Sequence, residues 1–145
     1  MSAATVNLTV AAVNDAPVAT IAPASYAATE QVSLNLKNNG LAVSDIDAGA
    51  GNVTVTLSVG EGTLNVSAGT SGATVTNSGT SSVTLNGTVA QINALLNTNG
   101  TSSVAYVDNT DTPSASTTLT MTVNDNGNTG SGGSLTNADS ATFAI

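Results

Sequence analysis

The sequence predicts an all-β domain, a sandwich or barrel of short strands, and three observations carry that prediction. Apolar and polar residues alternate at the two-residue period of a half-buried strand in segment after segment. Turn residues, chiefly Gly and Asn, separate these segments about every ten residues. The side chains are also small: there is no Trp, one Phe and two Tyr in 145 residues, so a core has to rest on Val, Leu, Ile and Ala. Such material suits a thin two-layer arrangement better than a thick multilayer body. A mass of 14.0 kDa fits one domain. A hydrophobic content of 40% argues against disorder.

Taken in order, residues 4–13 alternate first, with Val6, Leu8, Val10 and Val13 as the apolar set. Asn14-Asp15-Ala16-Pro17 breaks the pattern, and Pro17 makes the break a stiff, extended linker. Residues 32–36 alternate again, with Leu41 and Val43 continuing beyond the Asn38-Asn39-Gly40 turn. The best strand is 53–59, with Val53, Val55, Leu57 and Val59 on one face. Residues 63–66 follow the Gly60-Glu61-Gly62 turn and read as the return strand of a hairpin with 53–59. Further strands are expected at 73–76, 82–86, 103–107, 117–124 and 140–145.

One segment has a different period. Val89, Ile92, Leu95 and Leu96 fall on one helical face, and Thr88 with Gln91 has the spacing of a capping box. A short helix is expected there, closing one end or edge of the sheets. The chain ends resemble each other: Ala4-Thr5-Val6-Asn7-Leu8 matches Ala141-Thr142-Phe143-Ala144-Ile145, apolar for apolar, at an offset of 137 residues. This divides the chain into residues 1–13 as the last strand of a preceding repeat, 14–17 as an inter-repeat linker and 18–145 as the repeat itself.

Charge restricts function. Nine carboxylates face a single cation, Lys37, for a net charge of −8. Nucleic acid would need a basic footprint, and an anionic membrane surface would repel the chain. No apolar run is long enough to span a bilayer. Without His, Cys or Arg, little remains for acid–base or nucleophilic catalysis near neutrality, so an enzyme is not expected. A pair of carboxylates could hydrolyse a glycoside, but only Tyr26, Tyr106 and Phe143 could serve as sugar platforms.

The acids are grouped. Asp15 lies in the linker, Asp45 and Asp47 form Asp-x-Asp between two strands with Asn52 shortly after, and Asp125 ends another strand. If 32–43 runs upward and 53–59 downward, Asp45 and Asp47 reach the top together with Asn14, Asp15 and Asp125. Glu30 and Glu61 belong to the bottom. Four converging carboxylates with no cation nearby require a positive ligand. Hard oxygens on flexible loops select Ca²⁺; Mg²⁺ wants stricter octahedra and zinc wants His or Cys. Asp and Asn are also ordinary turn residues. Asp108, Asp111 and Asp139 read as solvated loop acids, Asp139 with the option of joining the upper group.

Here a resemblance enters. Val43-Ser-Asp-Ile-Asp-Ala-Gly49 with Asn52 resembles the cadherin Asp-x-Asp-x-Gly…Asn motif, and Val13-Asn-Asp-Ala-Pro17 is similar to the family's inter-domain linker. Glu30 resembles the glutamate of the first strand region, and Asp125-Asn126-Gly127 the Asp-x-Gly before the last hairpin. Gln91-Ile-Asn-Ala-Leu95 and the Gly-rich 124–133 stretch resemble the cadherin-like repeats of giant bacterial adhesins of the RTX or biofilm type, exported by type I secretion. The resemblance implies a cadherin- or immunoglobulin-like Greek-key β-sandwich with one short helix. It implies Ca²⁺ ligation by Asn14, Asp15, Asp45, Asp47, Asn52 and Asp125 at the preceding junction, with Glu30 serving the next. For Glu30 the chain lacks the family's Asp-x-Glu partner and ends before a following linker.

By the same resemblance the chain is a calcium-rigidified extender on a bacterial surface, extracellular, whose partners are adjacent repeats of the same chain. A monomer is expected, with strand swapping by residues 4–10 as a variation. The alternative is a ligand-binding adhesion module for carbohydrate or peptide, using Thr-rich strand faces.

Overall fold

The longest alternating runs become the longest strands. In the computed structural model, which describes residues 1–145, the elements in chain order are β1 (Val18–Ile21), β2 (Ser25–Ala27), β3 (Leu34–Asn35), β4 (Leu41–Ser44), β5 (Asn52–Val59) and β6 (Thr63–Ser67). There follow β7 (Thr74–Thr76), β8 (Ser82–Thr88), α1 (Val89–Asn93), β9 (Ser103–Val107), β10 (Ser116–Asn124) and β11 (Thr136–Ala144). The protein is mostly β, built from several sheets, and none closes into a barrel.

One sheet has six strands in the order β2-β11-β10-β5-β8-β7. All its pairings are antiparallel except β2 with β11, where Ser25, Tyr26 and Ala27 lie beside Thr142, Phe143 and Ala144 in parallel. A three-stranded sheet runs β3-β9-β6, and β1 pairs separately with β4. Since β3 and β4 are two lengths of one rising segment, broken by the turn at 38–40, the β1–β4 pair sits above the three-stranded sheet. The remaining edge of β1 is closed by side chains: Asn137 Oδ1 and Asp139 Oδ2 accept from the Ala19 and Ile21 amides at 2.8 Å each.

The core lies between these layers and is built by the alternation itself. Val53, Val55, Leu57, Leu119, Met121, Val123 and Phe143 are fully buried on the six-stranded sheet, opposite Leu64, Val104 and Tyr106. Each such side chain contributes about 1.5–3 kcal/mol by leaving water. The chain's three aromatics form one group. Tyr106 of β9 stacks on Phe143 of β11 with ring centroids 4.2 Å apart, and Tyr26 of β2 tilts against Phe143 at 5.6 Å. That stack joins the two sheets directly.

Four expectations are corrected. The segments 53–59 and 63–66 do not form a hairpin: β5 pairs with β10 and β8, while β6 pairs with β9 in the other sheet. The chain crosses the core's edge at Gly62, whose φ is +85° and where a Cβ would lie 2.7 Å from the Tyr106 ring. Only Gly can make that crossing against the aromatic. Residues 4–13 form no strand; only Val13 makes a parallel bridge, to Ser131, and Val6, Leu8 and Val10 stay exposed. An alternating segment is a strand only where a sheet edge satisfies its peptide groups, and none is offered to it. Of 32–36 only Leu34–Asn35 is strand, with Val32 exposed. Asp139 does not join the upper acids, because the Ile21 amide holds it.

The helix forms where its cap sits. Thr88 Oγ1 accepts from the Gln91 amide at 3.2 Å and Gln91 Oε1 accepts from the Thr88 amide at 3.0 Å. After Asn93 it widens into a π-helical turn, Ala94–Thr98, and Ile92, Leu95 and Leu96 are buried. Two asparagines fix it along β4: the Asn93 amide group bonds Val43 N and O at 3.0 and 2.7 Å, and Asn97 Nδ2 donates to Leu41 O at 2.9 Å. Lys37 Nζ donates to Asn99 O and, at 3.0 Å, to Ser102 O, so the one cation closes the carbonyl end of the helix.

Candidate metal centre

Strand direction brings the expected residues to one pole. β1 and β5 run down from it, β4 and β10 run up to it, and the linker enters there. Asn14, in the segment 14–17 expected to be a linker, is only 5% exposed. Its amide nitrogen donates to Asp125 Oδ2 at 2.5 Å and to Gly133 O at 2.8 Å. Its Oδ1, turned away from both acceptors, has no hydrogen-bond partner.

Asp125 is fully buried at the start of the loop that joins β10 to β11. Its Oδ1 accepts from the Gly127 and Leu135 amides, each at 2.8 Å. Burial alone would raise its pKa. The bonds from Leu135, Gly127 and Asn14 outweigh that and hold the carboxyl below its ordinary value.

Asp45 and Asp47 occupy the loop between β4 and β5. Asp45 Oδ1 accepts from the Asp47 and Ala48 amides, each at 3.1 Å, the self-bonding turn that Asp favours. Asp47 Oδ2 accepts from the Asp15 amide at 2.8 Å, which ties the linker to this loop. The other oxygen of each, Asp45 Oδ2 and Asp47 Oδ1, is buried with no partner. Burial, with the neighbouring Asp47 carboxylate adding to it, raises the Asp45 pKa despite the two amides.

Asp15 and Asn52 are at the same pole with exposed side chains. The main chain of Asn52 is engaged: its carbonyl accepts from Asn126 Nδ2 at 2.9 Å and Asn128 Nδ2 at 2.7 Å. Asn128 Nδ2 also donates to Asp125 O at 2.6 Å, so it links two of the expected residues. Thr129, held at φ +45° where a β-branched residue is rare, donates through its hydroxyl to Asp47 O. Neither Asn128 nor Thr129 was singled out by sequence pattern, because loop Asn and Thr are too common here to signal a role.

These contacts test whether the residues fit a cation. Three orphaned, buried oxygens on Asn14, Asp45 and Asp47 in one region are what a hard divalent ion would satisfy. No three carboxylates by themselves surround one point, so a complete shell would draw on Asn14 Oδ1 and main-chain carbonyls as well. The donor set is all oxygen, which suits Ca²⁺.

Glu30 stands at the opposite pole, exposed. Next to it in sequence, the Gln31 amide donates to Asp108 O at 2.7 Å. Asp108, expected to be a solvated loop acid, is 1% exposed. Its Oδ1 accepts from the Thr110 amide at 2.9 Å and the Thr110 hydroxyl at 2.7 Å, and its Oδ2 is buried without a partner. Those two Thr110 bonds lead in lowering its pKa against burial. Beside it, burial and the Asp108 and Glu61 charges push the Tyr106 phenol up to about 12. Glu61 is bound through both carboxylate oxygens to Ser114 N and Oγ, at 2.8 and 2.7 Å.

The chain was compared with protein-family models, with curated proteins and with solved structures, and nothing matches it.

Proposed function

We propose that this chain is a calcium-stiffened structural repeat of a giant bacterial surface adhesin, an extracellular extender that holds a terminal adhesive domain away from the cell. In this reading the β2-β11-β10-β5-β8-β7 sheet and the layer of β1-β4 with β3-β9-β6 are the two halves of a Greek-key sandwich of the cadherin kind. What supports it is the first strand's division, its upper part (β1) beside β4 and its lower part (β2) beside β11 in parallel.

The observation that carries the reading is the trio of unpartnered buried oxygens, Asn14 Oδ1, Asp45 Oδ2 and Asp47 Oδ1, where the linker meets the domain. Asn14, Asp15, Asp45, Asp47, Asn52 and Asp125 would hold the ion, with Glu30 serving a following junction. Ca²⁺ would supply the positive charge that these groups lack and would accept their oxygens among its six to eight ligands. Asp45 and Asp47 set the loop side, Asn14 and Asp15 the linker side, and Asp125 fixes Asn14 between them.

The test is thermal unfolding in CaCl₂ and in EDTA. Calcium should raise the melting temperature, and Asp45→Ala with Asp47→Ala should remove most of the rise. Superimposable curves in the two buffers would end the proposal.

A second reading, a module that binds a neutral glycan, has one observation in its favour. Thr76, Thr84, Thr56 and Thr122 lie in register across four strands on the outer face of the six-stranded sheet. Retention of the isolated domain on a glycan array would favour it over the extender.

A further inference from the structure

We infer that the loop between β10 and β11 is a docking groove for the Ala12–Asp15 segment, and that Asn14 seats the linker there without help from a cation. The groove is made by peptide groups. The Asn14 amide donates to Ser131 O and the Ser131 amide to Ala12 O, each at 3.0 Å, forming a short parallel bridge at Val13. Gly130 permits the approach: a Cβ there would stand 2.6 Å from Asn14 N. Its φ of +109° also demands Gly. The contacts to the rest of the fold start at Ala12; residues 1–11 form no element and are exposed.

The side chain of residue 14 decides the fit. Its nitrogen gives two hydrogen bonds, to Asp125 Oδ2 and Gly133 O, and both acceptors need a donor. An aspartate of the same shape has none to give and would place a second carboxylate 2.5 Å from a buried one. The Asp15 amide adds a bond to Asp47 Oδ2. Every one of these bonds is between protein groups, so none of them calls on a cation for its donor or its acceptor. This separates two roles that the proposed function joins: the Asn14 amide nitrogen seats the segment, and the orphaned oxygens, Asn14 Oδ1 among them, then receive charge.

Amide hydrogen exchange of the whole chain in EDTA at neutral pH tests this. The Asn14, Asp15 and Ser131 amides should exchange about tenfold or more slowly than those of Asn7 to Val10. Asn14→Asp should bring them to the rate of the free tail while Leu119 to Val123 in β10 keep their protection. Gly130→Ala should do the same, and it reads the seat independently should Asn14→Asp disturb β10. Two results would overturn the inference: wild-type Asn14 and Asp15 amides exchanging at the tail's rate until CaCl₂ is added, or Asn14→Asp retaining full protection in EDTA. Neither depends on whether calcium raises the melting temperature.

Discussion

Asn14 and Asp125 are 111 positions apart in the chain and meet in a 2.5 Å hydrogen bond buried from solvent. The segment entering the fold is thereby fastened to a loop far along the chain but at its own pole, the one between β10 and β11, while the Asp15 amide ties it to the loop between β4 and β5.

Removing Asp125 should therefore cost more than an ordinary loop substitution. Asp125→Ala leaves the Gly127 and Leu135 amides without an acceptor and takes from Asn14 Nδ2 one of its two. We expect a loss of about 2–4 kcal/mol, read from urea unfolding in EDTA, where calcium plays no part.

Asp45 should behave with opposite sign in the two buffers. Burial disfavours its charge, as the raised pKa records, so Asp45→Asn should raise the melting temperature in EDTA while keeping an oxygen for the Asp47 and Ala48 amides. In CaCl₂ the same variant should melt below the wild type. A variant that melts lower in both buffers would show that the carboxylate is needed for the turn alone.

The aromatic group should be the most sensitive part of the core. Phe143→Ala should cost about 3–5 kcal/mol, with loss of near-ultraviolet dichroism from Tyr26 and Tyr106, because both rings rest on Phe143.

Asp108 should account for part of the acid unfolding in EDTA. Its folded pKa lies below the unfolded value of about 3.9. Its contribution is therefore complete above that value and is lost as pH falls through the lower, folded pKa. Asp108→Asn should flatten the fall of melting temperature below about pH 4 relative to the wild type.

The helix cap should matter modestly. Thr88→Ala leaves the Gln91 amide unbonded and should cost about 1 kcal/mol, measured by the shift of the urea midpoint at unchanged slope.

Much of this was legible in the residues. The alternation at 53–59 and 117–124 reports burial on one face directly, and the capping box of Thr88 and Gln91 is a local device that local sequence can reveal. The polar placement of Asp45, Asp47 and Asp125 followed from counting strand reversals. What the sequence hid was non-local. Nothing near Gly62 says that the chain changes sheets there, since the reason is the Tyr106 ring. Asp108 looked like a solvated turn acid because its burial comes from the surrounding lower-pole loops, not from its neighbours in sequence. Residues 4–13 show the converse: alternation through Val6, Leu8 and Val10 without a partner gives no strand.

One pairing has a mechanical consequence. β2, near the start of the domain, lies parallel to β11, the last strand, while the linker enters at one pole and β11 ends at the other. Tension applied between the two ends draws β2 and β11 past each other lengthwise. Their hydrogen bonds are then loaded in shear, all at once, and cannot be unzipped one by one.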